Sequence, residues 1–96
     1  MEREVIWLPN ATEDLANVLE YLQQNWPTSV ADNFLSCLYG CLRLISVYPE
    51  TGITFEDDET VRRVLITKHN ALYYEFNEAR IILLKIVDTR SKDYNL

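Results

Sequence analysis

The stretch Val61–Arg90, VRRVLITKHNALYYEFNEARIILLKIVDTR, constrains this chain more than any other part of it. It holds three short runs rich in β-branched and aromatic residues, broken by two polar turns, and so predicts an antiparallel meander. The expected strands are Val61–Thr67, Leu72–Phe76 and Ile81–Val87, joined by turns at Lys68–Ala71 and Asn77–Arg80. In the second strand Leu72, Tyr74 and Phe76 share one face, while Tyr73 and Glu75 share the other, the period of two of a half-buried strand. The third strand, IILLKIV, is apolar on both faces. That suits a central strand with helices on one side and some further cover on the other.

The residues before the meander divide into a strand and two helices. Glu4–Leu8 is a short strand, and Pro9 ends it by removing a ladder donor. Asn10 is the expected N-cap of the first helix, with Glu13 closing a capping box and Glu13 and Asp14 facing the positive end of the dipole. Leu15, Val18, Leu19 and Leu22 then recur at spacings of three and four, predicting a helix over Ala11–Asn25. Trp26-Pro27 stops it. Thr28 or Ser29 caps a second helix reaching Val47, with the stripe Ala31, Phe34, Leu38, Cys41, Ile45 and Tyr48. The short join makes the two helices an antiparallel hairpin. After Pro49–Gly52, Ile53–Thr60 reads as a solvated loop. Its acidic run, Glu56–Glu59, lacks the alternating ligands of a calcium loop. The expectation is one α+β domain over 1–96: an N-terminal strand, an antiparallel helical hairpin and a three-stranded antiparallel meander, with the helices on one face of the sheet.

Composition narrows the class. With 48% hydrophobic residues among 96, the chain can bury one core and is not a disordered segment. No uninterrupted apolar run reaches the roughly 18 residues of a membrane span. The start, MEREVIW, lacks a signal peptide's basic and apolar regions. The expected location is therefore the cytoplasm, with no membrane partner. Cys37 and Cys41 lie four apart on one helix, without the second ligand pair that a metal site needs, and read as small core residues. No metal or cofactor is expected. The net charge of −6 is unevenly spread: residues 1–60 hold two bases against eleven acids, a net of −9, and residues 61–96 hold seven bases against four acids, a net of +3. The meander could thus offer a positively biased surface on an acidic molecule.

Several segments together resemble the RelE/ParE superfamily of toxins from bacterial type II toxin–antitoxin systems, the plasmid stabilisation family. They are Trp7 closing the first strand, the helix stretch from Ala11 to Leu22 with Asp14 and Tyr21, and the pattern from Ala31 to Leu38. The others are YPETG at Tyr48–Gly52, VRR at Val61–Arg63, KHNALYYEF, and the closing DTR at Asp88–Arg90. They cover nearly the whole chain in the expected order. The resemblance implies the helical hairpin against an antiparallel sheet already derived. It also implies a toxin neutralised by a cognate antitoxin, with homodimers or a hetero-oligomer with the antitoxin left open. In one branch such toxins poison DNA gyrase; in the other they cut mRNA on the ribosome.

Metal-free RNA cleavage needs a base for the 2′-hydroxyl, a cation for the crowded phosphate and an acid for the leaving oxygen. Arg63 and Arg90 are suited to clamp phosphate bidentately. His69, the sole histidine, is of the residue type suited to act as acid or base, or it simply builds the turn with Asn70. Tyr94 lies four residues after Arg90, where nuclease members of the family often carry a tyrosine or histidine. By that carry-over Arg63, Arg90 and Tyr94 fit best, with His69 beside them, if the chain is a nuclease. Against the nuclease stand the acidic balance and helices without a single lysine, because a ribosomal site is made of phosphates. The expectation is therefore a ParE-like toxin that binds gyrase; the alternatives are a RelE-like mRNA endonuclease or a harmless binding module descended from such toxins.

Overall fold

The computed structural model describes residues 2–91 and Tyr94; Lys92 and Asp93, counted above with the positive third, lie outside the described residues. Strand β1 (Glu4–Trp7) leads into helices α1 (Pro9–Asn25) and α2 (Thr28–Val47). A 3-10 turn at Pro49–Thr51 follows, then β2 (Ile53–Thr54), β3 (Arg62–Thr67), β4 (Asn70–Phe76) and β5 (Arg80–Asp88). The sheet order is β1-β5-β4-β3-β2, with β1 parallel to β5 and every other pair antiparallel. The α+β architecture is the expected one. The sheet gains a fifth strand because two residues of the supposed loop, Ile53 and Thr54, pair with Arg63 and Arg62.

Both expected caps are replaced. Leu8 is the N-cap of α1 and Pro9 occupies its first turn, so neither Asn10 nor a capping box starts the helix. Proline suits that position: its φ is preset and its absent N–H would have had no partner. Pro27 similarly precedes α2, which has no side-chain cap from Thr28 or Ser29. By length and mean hydropathy of 1.3, α2 would pass for a membrane span, which a search for uninterrupted apolar runs does not detect. Here it is the core helix: Phe34, Leu38 and Ile45 pack with Ala11, Leu72, Tyr74, Ile81 and Leu83. Tyr48, placed on that stripe, leaves the helix and is exposed. Leu42 is buried in the core, and Cys41 is half-buried, its thiol donating to the Leu65 carbonyl at 3.3 Å.

A register shift makes β5 fit. Tyr74 pairs with Leu83 but Tyr73 pairs with Lys85, leaving Leu84 as an extra residue. Strict alternation from Ile81 and Leu83 would have driven Lys85 into the core. The bulge resets the phase, so Ile86 is buried and Lys85 stands in water on the helix-free face. Beyond Leu83, β1 no longer flanks β5, and the outward N–H of Ile86 is taken instead by Asp14 Oδ2 of α1 at 3.0 Å. Asp14 thus caps a strand edge and fixes α1 against the sheet.

Candidate functional site

Two regions hold the chemically active side chains. The first is a groove of about 760 Å³ between the turn of the helical hairpin and the β3–β4 turn. Tyr21 and Trp26, each about half exposed, stand on the helix side; Lys68, His69, Asp88 and Arg90 stand on the sheet side. The second is the helix-free face of the sheet, where Arg63 carries Tyr94 stacked over its guanidinium at 4.8 Å.

The sequence candidates divide between these regions. Arg63 and Tyr94 come together: Arg63 Nη1 also donates to the Tyr94 carbonyl at 3.4 Å. His69 and Arg90 come together at the groove, where Thr89 N donates to the His69 carbonyl at 3.0 Å. Asp88 lies three ladder steps and two strands from Arg63, a Cα separation of roughly 14 Å. Arg90 is already engaged, with Nε and Nη2 donating to the two oxygens of Asp88 at 3.0 and 2.8 Å. His69 sits in the two-residue turn before β4, and its N–H donates to Thr67 Oγ1 at 3.2 Å.

Arg90's side-chain hydrogen bonds, then its backbone N–H, hold the Asp88 carboxyl down at about 2. A carboxyl whose folded-state value lies below its unfolded value favours the folded state above the unfolded pKa, and that contribution disappears as pH falls from about 4 toward about 2. Both side chains are largely exposed, so the effect is local. In Arg90→Ala the pKa of the Asp88 carboxyl is expected to rise from about 2 toward 3.8, short of it because the backbone N–H of residue 90 still donates to it, as followed by its ¹³C chemical shift.

The positively biased sheet surface expected from the sequence does not form as one patch. Arg62 turns toward the α2–β2 connection and donates to the carbonyls of Glu50 at 3.1 Å and Gly52 at 2.8 Å. Arg80 pairs with Glu4 at the far end of the sheet, and Arg90 is neutralised by Asp88. Of the strand cations, Arg63 and Lys85 remain on the helix-free face. Tyr73 and Tyr74 point opposite ways, as expected, but both are buried rather than one. The acidic run is an ordinary loop: Asp58 Oδ1 accepts from the N–H and hydroxyl of its neighbour Thr60.

Sequence reasoning missed two contacts of this surface and one on the opposite face. Phe55, read as loop, packs edge-on against Tyr73 with ring centres 6.0 Å apart. Lys85 lies over the same ring at 4.8 Å. Tyr74, on the other face, ties the YPETG segment to the sheet. The signal available was the pair Tyr73-Tyr74 itself, since two adjacent strand tyrosines each need a place for a hydroxyl.

A family model described as "ParE toxin of type II toxin-antitoxin system, parDE" matches residues 5–94. The chain belongs to this ParE toxin family. Its fold agrees. The chromosomal ParDE toxin–antitoxin system from P. aeruginosa includes a chain that superposes with a TM-score of 0.73 at 13% identity, covering 91% of this chain and 96% of that one. The YoeB dimer from Staphylococcus aureus superposes with a TM-score of 0.66 at 16% identity, covering 88% and 94%. At those identities the likeness concerns the fold. Among curated protein sequences none matches. In this ParE-family toxin the motifs that carried the resemblance are therefore scaffold as much as site: Asp14 caps β5, and Gly52 seats Tyr74.

Proposed function

We propose that this ParE-family toxin acts in the cytoplasm by binding a protein target, DNA gyrase, and that a cognate antitoxin neutralises it. The observation that carries the reading is the division of the four candidate groups between two surfaces. Arg63 and Tyr94 lie on the helix-free face, while His69 and Arg90 lie at the groove with Arg90 held by Asp88. A nuclease needs acid, base and cation around one phosphate. A binding protein needs a concave apolar site with aromatic anchors, which the groove supplies through Tyr21, Trp26, Val18, Leu22 and Phe34. The groove is also a suitable seat for an amphipathic antitoxin segment.

The test is a supercoiling assay with purified gyrase at rising toxin concentration. Inhibition with trapped DNA breaks, relieved by the antitoxin, is the expected result. Absence of both removes the gyrase reading. The nuclease reading is supported by Arg63 with Tyr94 on the open sheet face. It predicts cuts in translated mRNA, mapped by primer extension, that vanish in Arg63→Ala. If neither activity is seen and expression without antitoxin is harmless, the protein is a binding module of toxin descent.

A further inference from the structure

Helix α2 carries an apolar outer side as well as the side that enters the core. Its mean hydropathy of 1.3 would suit a membrane span, yet only 33% of that window is buried. Asp32, Ser36, Tyr39, Arg43 and Val47 recur at spacings of three and four, so they share one side of the helix, and all five are exposed. Tyr39 is 55% and Val47 40% exposed, with Leu44 beside them at 43%. Asp32 and Arg43 are the only charged residues of α2. Neither takes part in an ion pair among the described residues. Glycine weakens a helix interior, yet a Cβ at Gly40, bordering this stripe, would meet nothing within 4 Å. Packing within the chain does not require glycine there, whereas close approach of another helix is served by it.

We propose that a second copy of the chain docks on this side, α2 against α2 in an antiparallel pair about a two-fold axis. The charge pattern selects both the occupant and the direction. An axis crossing α2 midway between Asp32 and Arg43 sets each of these residues opposite its counter-charge in the other copy, as an isologous contact requires. The same symmetry sets Ser36 opposite Tyr39, so a small residue makes room for each ring. Two ion pairs then close the ends of an apolar strip, and Tyr39, near the axis, contributes twice. A parallel pair would set like charges opposite each other, and a lipid surface would leave both charges without partners. One helix pair is small beside the roughly 1,200 Å² of a standard interface, so the dimer is weak and depends on concentration. None of the five residues lines the groove, so each copy keeps its groove open.

The experiment is sedimentation velocity of the full chain at low salt, from micromolar to submillimolar concentration. A reversible monomer–dimer equilibrium is expected, and it should weaken as salt is added. Asp32→Arg and Arg43→Asp should each weaken it by about tenfold, because two attractive pairs become two repulsive ones. An equimolar mixture of these two variants should dimerise again, since one copy then carries both positive charges and the other both negative. Tyr39→Ser should weaken association by about tenfold while the circular dichroism spectrum of the dilute chain stays unchanged, because the ring is exposed. A dimer that is indifferent to both charge reversals forms elsewhere and overturns the proposal. So does a chain that is monomeric at every concentration; protection of α2 amides from exchange by lipid vesicles or by the antitoxin would then assign this side to that occupant.

Discussion

A Tyr74→Phe variant is expected to melt about 10–20 °C below the parent, corresponding to a loss of about 2–4 kcal/mol. The Tyr74 hydroxyl is wholly buried between two backbone groups: it donates to the Pro49 carbonyl at 2.6 Å and accepts from the Gly52 N–H at 2.9 Å. Removing the oxygen strands both groups where water cannot reach them. The neighbouring change, Tyr73→Phe, removes a hydroxyl with no partner among the described residues, and is expected to leave the melting temperature unchanged or slightly raised. Thermal unfolding followed by circular dichroism separates the two, and equal losses would refute the account. Burial also pushes the Tyr74 hydroxyl above its usual 10, against smaller opposing effects of Gly52 and Arg62. Its contribution is fully present below pH 10 and is lost as pH rises through the folded-state value. Alkaline destabilisation should therefore be milder in Tyr74→Phe.

Gly52→Ala is expected to cost about 2–4 kcal/mol in urea unfolding, although alanine suits the backbone there. The φ of Gly52 is −69°, so conformation is not the reason for glycine. Space is. A Cβ at this position would meet the Tyr74 hydroxyl at 2.5 Å and the Arg63 carbonyl at 2.9 Å. The hydroxyl cannot yield without giving up its bond to Pro49, and the carbonyl belongs to a paired strand. The two changes share one cause, so the double variant Gly52→Ala/Tyr74→Phe should lose less than the sum of its parents, by about 1 kcal/mol or more. Additive losses would mean that Gly52 matters for some reason other than the seat it gives Tyr74.

The meander, the hairpin and their order were legible because hydrophobic period reports which side of an element is buried, and that holds without coordinates. The α2 stripe of Phe34, Leu38 and Ile45 and the β4 pair Leu72 and Tyr74 landed in the core where the periods put them. The helix starts were misread because capping preferences compete. Asn10 and Thr28 are good caps, but proline one residue earlier set the backbone first. Site residues were the least legible part. Arg62 and Arg63 are adjacent in sequence, yet pleating sends one to the backbone of the α2–β2 connection and the other to Tyr94 on the opposite face.

By itself the sequence determined the helices, the first strand, the meander and the family, because these follow from local preference and from patterns that read along the chain, whereas β2 is a strand only by its pairing with β3. Tertiary structure alone decided which charges survive as free ones. Whether an arginine clamps a ligand, a carbonyl or an aspartate depends on what the fold brings within about 3 Å of it. The bulge at Leu84 is the sharpest case: one unpaired residue moves Lys85 from the core face to the open one, and no period in IILLKIV announces it.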